Sequence, residues 1–105
     1  MKYLVSGTSG PGFQSPDEAK QLLEGVVHPS FVRIQELEAE GKISASGLPI
    51  GDRTIIFVLE AASHSEADSI IQSMPIWSHL EWEVVALQSV SDRMAQEKQL
   101  LAQYG

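Results

Sequence analysis

Proton chemistry at neutral pH needs a titratable group in an unusual setting, and His28 has one. It precedes Pro29 inside a helical pattern, where proline removes a backbone donor and re-aims its neighbours. A neutral imidazole there can shuttle a proton, and it can equally serve to cap a broken turn. Arg33 and Glu36 follow, three residues apart on the same helix. Pointing inward, Arg33 can grip a carboxylate by a two-pronged contact and Glu36 can act as a base. Pointing outward, the two simply pair on the solvent face. Trp77, His79 and Trp82 gather around one turn. Two indole walls and an imidazole suit a flat unsaturated ring, and they also suit core or interface packing. Tyr3, on the first predicted strand, can offer its hydroxyl to an enolate oxygen or sit as an ordinary half-buried strand tyrosine.

Other chemistries lack their residues. Cysteine is absent, so there is no thiolate nucleophile, disulfide or thiolate-held metal. A histidine metal site would require His28, His64 and His79 to converge from different elements with no paired spacing, and no metal is expected. No serine lies in a Gly-x-Ser-x-Gly elbow. The loop with Gly7, Gly10, Pro11 and Gly12 lacks phosphate-loop spacing and the Gly-Lys-Ser/Thr that would follow it.

These side chains must be held by a regular frame. Residues 2–8 are β-rich and predict a first strand. Ser15-Pro16-Asp17-Glu18 combines a capping serine, a proline suited to the first helical position and a capping-box glutamate. Ala19, Leu22, Leu23, Val26 and Val27 continue with helical spacing. Pro29 predicts a kink or break, after which Phe31, Ile34 and Leu37 resume the pattern until Gly41 stops it. Residues 42–48 predict a second strand, with Ile43, Ala45 and Gly47 on one face. Pro49 to Asp52 predicts a turn, and residues 54–59, apolar on both faces, predict a central strand. A second helix over 63–74 carries a buried stripe of Ala67, Ile70, Ile71 and Met74, closed by Pro75. Residues 81–90 predict a fourth strand, and a polar helix begins at Ser91.

The order strand, helix, strand, strand, helix, strand predicts an α+β, ferredoxin-like βαββαβ fold with a C-terminal helix. One domain over 1–90 and a helical extension over 91–105 are expected from 105 residues with a hydrophobic share of 43%. Both main helices then lie on one sheet face. The other face would expose Phe57 or its neighbours, with Val85 and Leu87, and a patch of that kind marks an interface. Two sheets packed face to face would make a homodimeric α+β barrel, or part of a higher homo-oligomer. The net charge of −7, from 14 acids against 7 bases, disfavours nucleic acid and anionic membranes as partners. The short N-terminal apolar run does not make a signal peptide, so a cytoplasmic setting is expected.

Leu37-Glu38-Ala39-Glu40-Gly41-Lys42-Ile43, Gly47, the apolar strand, Met74-Pro75-Ile76-Trp77 and Trp82 to Leu87 together resemble the muconolactone isomerase-like members of the dimeric α+β barrel superfamily. The resemblance implies the fold, a dimer or larger homo-oligomer, and a small-molecule cleft between sheet and long helix. It also implies a proton moved on an unsaturated lactone without metal or organic cofactor. On this reading His28 or Glu36 takes a carbon-bound proton, Arg33 or Tyr3 steadies the enolate, and Trp77, His79 and Trp82 bind the ring. A small hydrophobic or cyclic-acid ligand fits. Two other readings stay open: a non-catalytic dimeric binding or assembly module, and a cofactor-independent monooxygenase of the same superfamily. The glycine-rich loop and the Pro29 break depart from the isomerase pattern, and both border the expected cleft.

Overall fold

A computed structural model describes residues 1–10 and 12–105. Pro11, part of the glycine-rich loop discussed above, lies outside the described residues. The elements run β1 (Lys2–Thr8), α1 (Pro16–Leu22), a π-helical turn (Leu23–Val27), α2 (His28–Ala39), β2 (Ile43–Gly47), β3 (Ile55–Glu60), α3 (His64–Gln72), a short 3-10 turn (Trp77–His79), β4 (Glu81–Leu87) and α4 (Val90–Tyr104). The sheet order is β2-β3-β1-β4 with every pairing antiparallel, the ferredoxin-like arrangement expected from the chain order.

The helix starts form as their sequences dictate. Ser15 Oγ accepts the Glu18 amide at 3.1 Å, and Ser63 Oγ accepts the Glu66 amide at 3.1 Å. Glu66 also reaches back to the Ala62 amide at 2.9 Å. At the other end of α2, Gly41 adopts φ 78°, which lets the Lys42 amide return to the Leu37 carbonyl at 2.9 Å.

Of the kink or break expected at Pro29, the structure shows a distortion of the helix and no end to it. Proline lies in the first turn of α2, and the distortion falls one turn earlier, where the His28 amide bonds back to the Leu23 carbonyl, five residues away. Widening that turn accommodates the ring and the missing donor without ending the helix. The strand ends also shift. β3 is displaced by one residue, β4 stops at Leu87, and α4 begins at Val90 because Ser89, not Ser91, is its cap, accepting the Asp92 amide at 3.0 Å. β2 is shorter than expected and carries a register shift between Ile43 and Ala45, so Ile43 faces the helices while Ala45 and Gly47 turn to the opposite face.

One core lies between the sheet and the helices. Val5, Leu37, Phe57, Leu59 and Met74 are its most deeply buried apolar members. Ile34 and Leu37 come from α2, and Ala67, Ile70 and Ile71 from α3. Phe57 therefore faces the helices, not the open side; its neighbours Ile56 and Val58 take the open side, with Leu4, Val85 and Leu87. Ser30 ties the layers together. Completely buried, its hydroxyl donates to the Val26 carbonyl at 2.8 Å and accepts the Ile76 amide at 2.9 Å. α4 stands apart from the body, with none of its residues buried.

Candidate functional site

A cleft of about 270 Å³ opens between the long helix, the start of β3 and the loops at that end of the sheet. Leu23, Val27 and Phe31 recur at intervals of four residues and form one helical wall. Ile55 and Leu48 supply the sheet side, Phe13 the loop after β1, and Ile76 and Leu80 the turn after α3. The size is just under that of drug-sized pockets, which start near about 300 Å³, and suits a single-ring molecule. A second hollow of about 230 Å³ adjoins it and shares Phe31, Leu48 and Ile55. There Ser46 Oγ donates to Glu38 Oε1 at 2.7 Å.

The charged lining of the main cleft is Asp52 and Arg53, both from the β2–β3 turn. Gly51 at φ 80° and the Asp52 amide bonded to the Pro49 carbonyl at 3.2 Å set that turn. Asp52 fixes itself locally: Oδ1 accepts the Arg53 amide at 2.7 Å and Oδ2 the Thr54 hydroxyl at 3.1 Å. Arg53 makes no ion pair among the described residues. Its guanidinium lies beside Gly12, where an added Cβ would come within 3.1 Å of Nη1. Gly10 brings the loop down onto the turn: its amide donates to the Arg53 carbonyl at 3.3 Å, and a Cβ there would stand 2.9 Å from that oxygen. In a chain of net charge −7, a local unpaired guanidinium is what would admit an anionic ligand.

The side chains singled out from the sequence are distributed more widely. Tyr3 is buried; its hydroxyl oxygen lies 2.6 Å from His64 Nδ1 and 3.2 Å from Met1 Sδ. That pair borders a hollow of about 370 Å³ between α3 and β4. Arg33 and Glu36 engage each other at 3.5 Å, with Arg33 Nε also donating to Ser73 Oγ at 3.2 Å. Trp82 is half-buried, edge-on to Phe57 at 6.4 Å, and its indole N–H donates to the Trp77 carbonyl at 2.9 Å. Trp77 and His79 are exposed on the 3-10 turn. His28 is exposed at the end of the π turn, its ring 6.4 Å from that of Phe31, which puts it beside the helical wall of the cleft. Of these residues the described cavities are lined by Tyr3 alone, and the structure does not gather the seven into one pocket. Among the described residues no cluster of three or more histidine, aspartate or glutamate side chains is placed to hold a metal.

Asp52, Arg53 and His64 were not picked out as site residues. Nothing in the sequence marks Arg53 as a site residue: it directly follows Asp52 at the end of a predicted turn. The Tyr3–His64 contact spans 61 positions and has no local signature.

Comparison with known proteins agrees with this frame. No curated protein matches the sequence. Among solved structures, the crystal structure of muconolactone isomerase superposes with a TM-score of 0.69 at 21% identity, over 85% of this chain and 90% of that one. A 5-chloro-2-hydroxyhydroquinone dehydrochlorinase from Burkholderia phenoliruptrix AC1100, in complex with 2,5-dihydroxybenzoquinone, superposes with a TM-score of 0.64 at 15% identity, over 88% and 98%. At such identities the likeness establishes the fold. The sequence profile of muconolactone delta-isomerase matches residues 1–93, nearly the whole of the frame described above, and this chain belongs to that family.

Proposed function

We propose that the protein is a cofactor-free proton-transfer enzyme acting on a small unsaturated cyclic acid held in the cleft beneath the glycine-rich loop. One observation carries this reading: an apolar, single-ring-sized cleft whose charged lining is one guanidinium and one carboxylate, Arg53 and Asp52. Arg53 pairs with the ligand's carboxylate, and Phe13, Val27 and Phe31 cover the ring. Asp52 takes the proton from the carbon beside the ring carbonyl, the electron pair moves into the extended enolate, and the proton returns at the distal carbon, so the double bond migrates without change of composition. His28, at the rim against Phe31, is the second group placed to carry that proton. Arg33 and Glu36 serve the helix surface on this reading, and Tyr3, Trp77, His79 and Trp82 brace the frame around the cleft.

Turnover of an unsaturated-lactone panel, followed by ultraviolet absorbance, tests the scheme. Arg53→Gln is expected to raise KM at least tenfold with a smaller change in kcat, and Asp52→Asn to lower kcat by 10²–10⁴-fold, the usual contribution of a general base. Unchanged turnover in an Asp52→Asn/His28→Gln double variant removes the mechanism.

A specific observation favours a second reading, a binding module without turnover. Both Asp52 oxygens already accept hydrogen bonds from the turn, which leaves less capacity for a substrate proton. Calorimetric binding of lactone acids with no conversion would select it.

The working unit on either reading is a homodimer in the cytoplasm. Leu4, Ile56, Val58, Val85 and Leu87 form an apolar patch on the open sheet face, and a second copy covers it most simply by placing the same face against it. No helix among the described residues is long and apolar enough to cross a membrane.

A further inference from the structure

We infer that the substrate proposed above, on which this rests, carries a second polar group: a short arm from the ring that ends in a hydroxyl, received by Glu38 in the hollow beside the cleft. The cleft of about 270 Å³ accounts for a single ring. The adjoining hollow of about 230 Å³ is nearly as large and shares Phe31, Leu48 and Ile55 with it, so the two form one elongated depression. The long helix runs beside both. Val27 and Phe31 wall the cleft, and Phe31, Gln35 and Glu38 continue the same helical face along the hollow. The rise from Phe31 to Glu38 is about 10 Å along the helix axis. A helical glutamate leans back toward the N-terminus, here toward Phe31 and the ring, so an arm of a few atoms spans the remainder.

Glu38 is set apart from the carboxylates beside it. Glu36 pairs with Arg33, and Glu40 with Lys42. Glu38 makes no ion pair among the described residues. Its partner is the Ser46 hydroxyl, which crosses from β2 and donates to Oε1 at 2.7 Å. A hydroxyl steadies a carboxylate without neutralising it, and one such bond uses a fraction of the roughly four acceptor sites available. A ligand hydroxyl suits what remains. It donates to Glu38 and accepts from the side-chain amide of Gln35 on the same wall, whereas an ammonium has no acceptor to offer.

Ser46 reaches Glu38 only because of the slip in the β2 ladder. Strict alternation from Ile43 would put Ala45 and Gly47 over the helices and Ser46 on the open face. The shift between Ile43 and Ala45 reverses this, and Ser46 pairs with Phe57 on the buried, helix-facing side. A bulge gives up regular ladder pairing and re-aims a side chain, often beside a site. Here it turns a hydroxyl into the hollow next to the cleft. The depression thus has unlike halves, with Arg53 lining one and Glu38 the other. A plain ring acid satisfies the first half alone.

Three acids built on one unsaturated lactone test this by calorimetry: one without an arm, one with a short carbon arm ending in a hydroxyl, and one with the same arm ending in a methoxy group. The hydroxyl acid is expected to bind about tenfold tighter than the methoxy acid, as a hydrogen bond to a charged group warrants. Glu38→Ala should erase that preference and leave the affinity of the arm-free acid unchanged. Ser46→Ala should reduce the preference and Ser46→Thr restore it, since the serine acts by holding the carboxylate. Arg53→Gln should weaken all three acids alike. An arm-free acid bound through Arg53, with no preference for hydroxyl over methoxy, overturns the arm and leaves the cleft reading standing. A preference that survives Glu38→Ala does the same. Binding of none of the three, or binding unmoved by Arg53→Gln, overturns the cleft reading and the arm with it.

Discussion

Ser30→Ala removes one oxygen from the hinge-pin of the fold. Ser30 is fully buried, and Ile76, whose amide it accepts, is 4% exposed. Without the hydroxyl, the Ile76 N–H loses its acceptor at a depth where water does not readily replace it. A buried donor left unpaired costs about 1–3 kcal/mol. The Val26 carbonyl loses a supplementary donor, but it lies within the helical path and adds little. The expected loss is therefore about 1–3 kcal/mol, and since 1 kcal/mol moves Tm by about 4–8 °C in a domain of this size, Tm should fall by at least about 4 °C. Urea unfolding by circular dichroism reads the change as a lower midpoint at unchanged slope. Protein concentration must be matched, because association would shift the apparent stability. Ser73→Ala is the control: Ser73 is exposed, and its loss should cost under about 0.5 kcal/mol. A Ser30→Ala loss as small as the control's would refute the reasoning, since it would mean that the turn after α3 does not depend on the helix for its buried amide.

Gly7→Ala should destabilise by about 1–3 kcal/mol, because the new methyl would stand 2.7 Å from a Leu80 methyl and 2.8 Å from the Trp82 ring; a shift in tryptophan emission would accompany the change in urea midpoint. Arg33→Ala should cost less than about 1 kcal/mol and leave ligand binding unchanged, since Arg33 pairs with an exposed Glu36; a tenfold loss of lactone affinity would instead bring Arg33 into the site. Tyr3→Phe should lower stability by about 0.5–1.5 kcal/mol through loss of the contact to His64, measured by thermal unfolding, with lactone turnover unaffected.

What could be read from the sequence was what is decided locally. The serine caps of α1 and α3 and the left-handed Gly41 follow from neighbours a few residues apart, and the structure matches them; the sheet order follows from the succession of elements along the chain and the rules for connecting them. Pro29 announced a distortion but not its place, because the strain of a proline is relieved in the preceding turn, here by a widened ring of hydrogen bonds around Gly25. The sequence left open whether Phe57 or its neighbours take the open face, because an all-apolar strand gives no alternation to orient it; the pairing with β1 decides for Ile56 and Val58. The cleft was the least legible. Asp52 read as a turn residue and Arg53 carried no signal, and their inclusion in a pocket depends on Gly10 approaching Arg53 within hydrogen-bond distance from 43 positions away.

The slip in the β2 ladder has a consequence for colloidal behaviour. A straight, fully paired border strand would invite further strands edge to edge, the first step towards a fibre. Here that border is five residues long, rich in serine and glycine, and kinked between Ile43 and Ala45. The far border, β4, carries Glu81 and Glu83. Both margins thus discourage lateral growth by strand addition, which leaves the apolar sheet face as the surface on which self-association would be built.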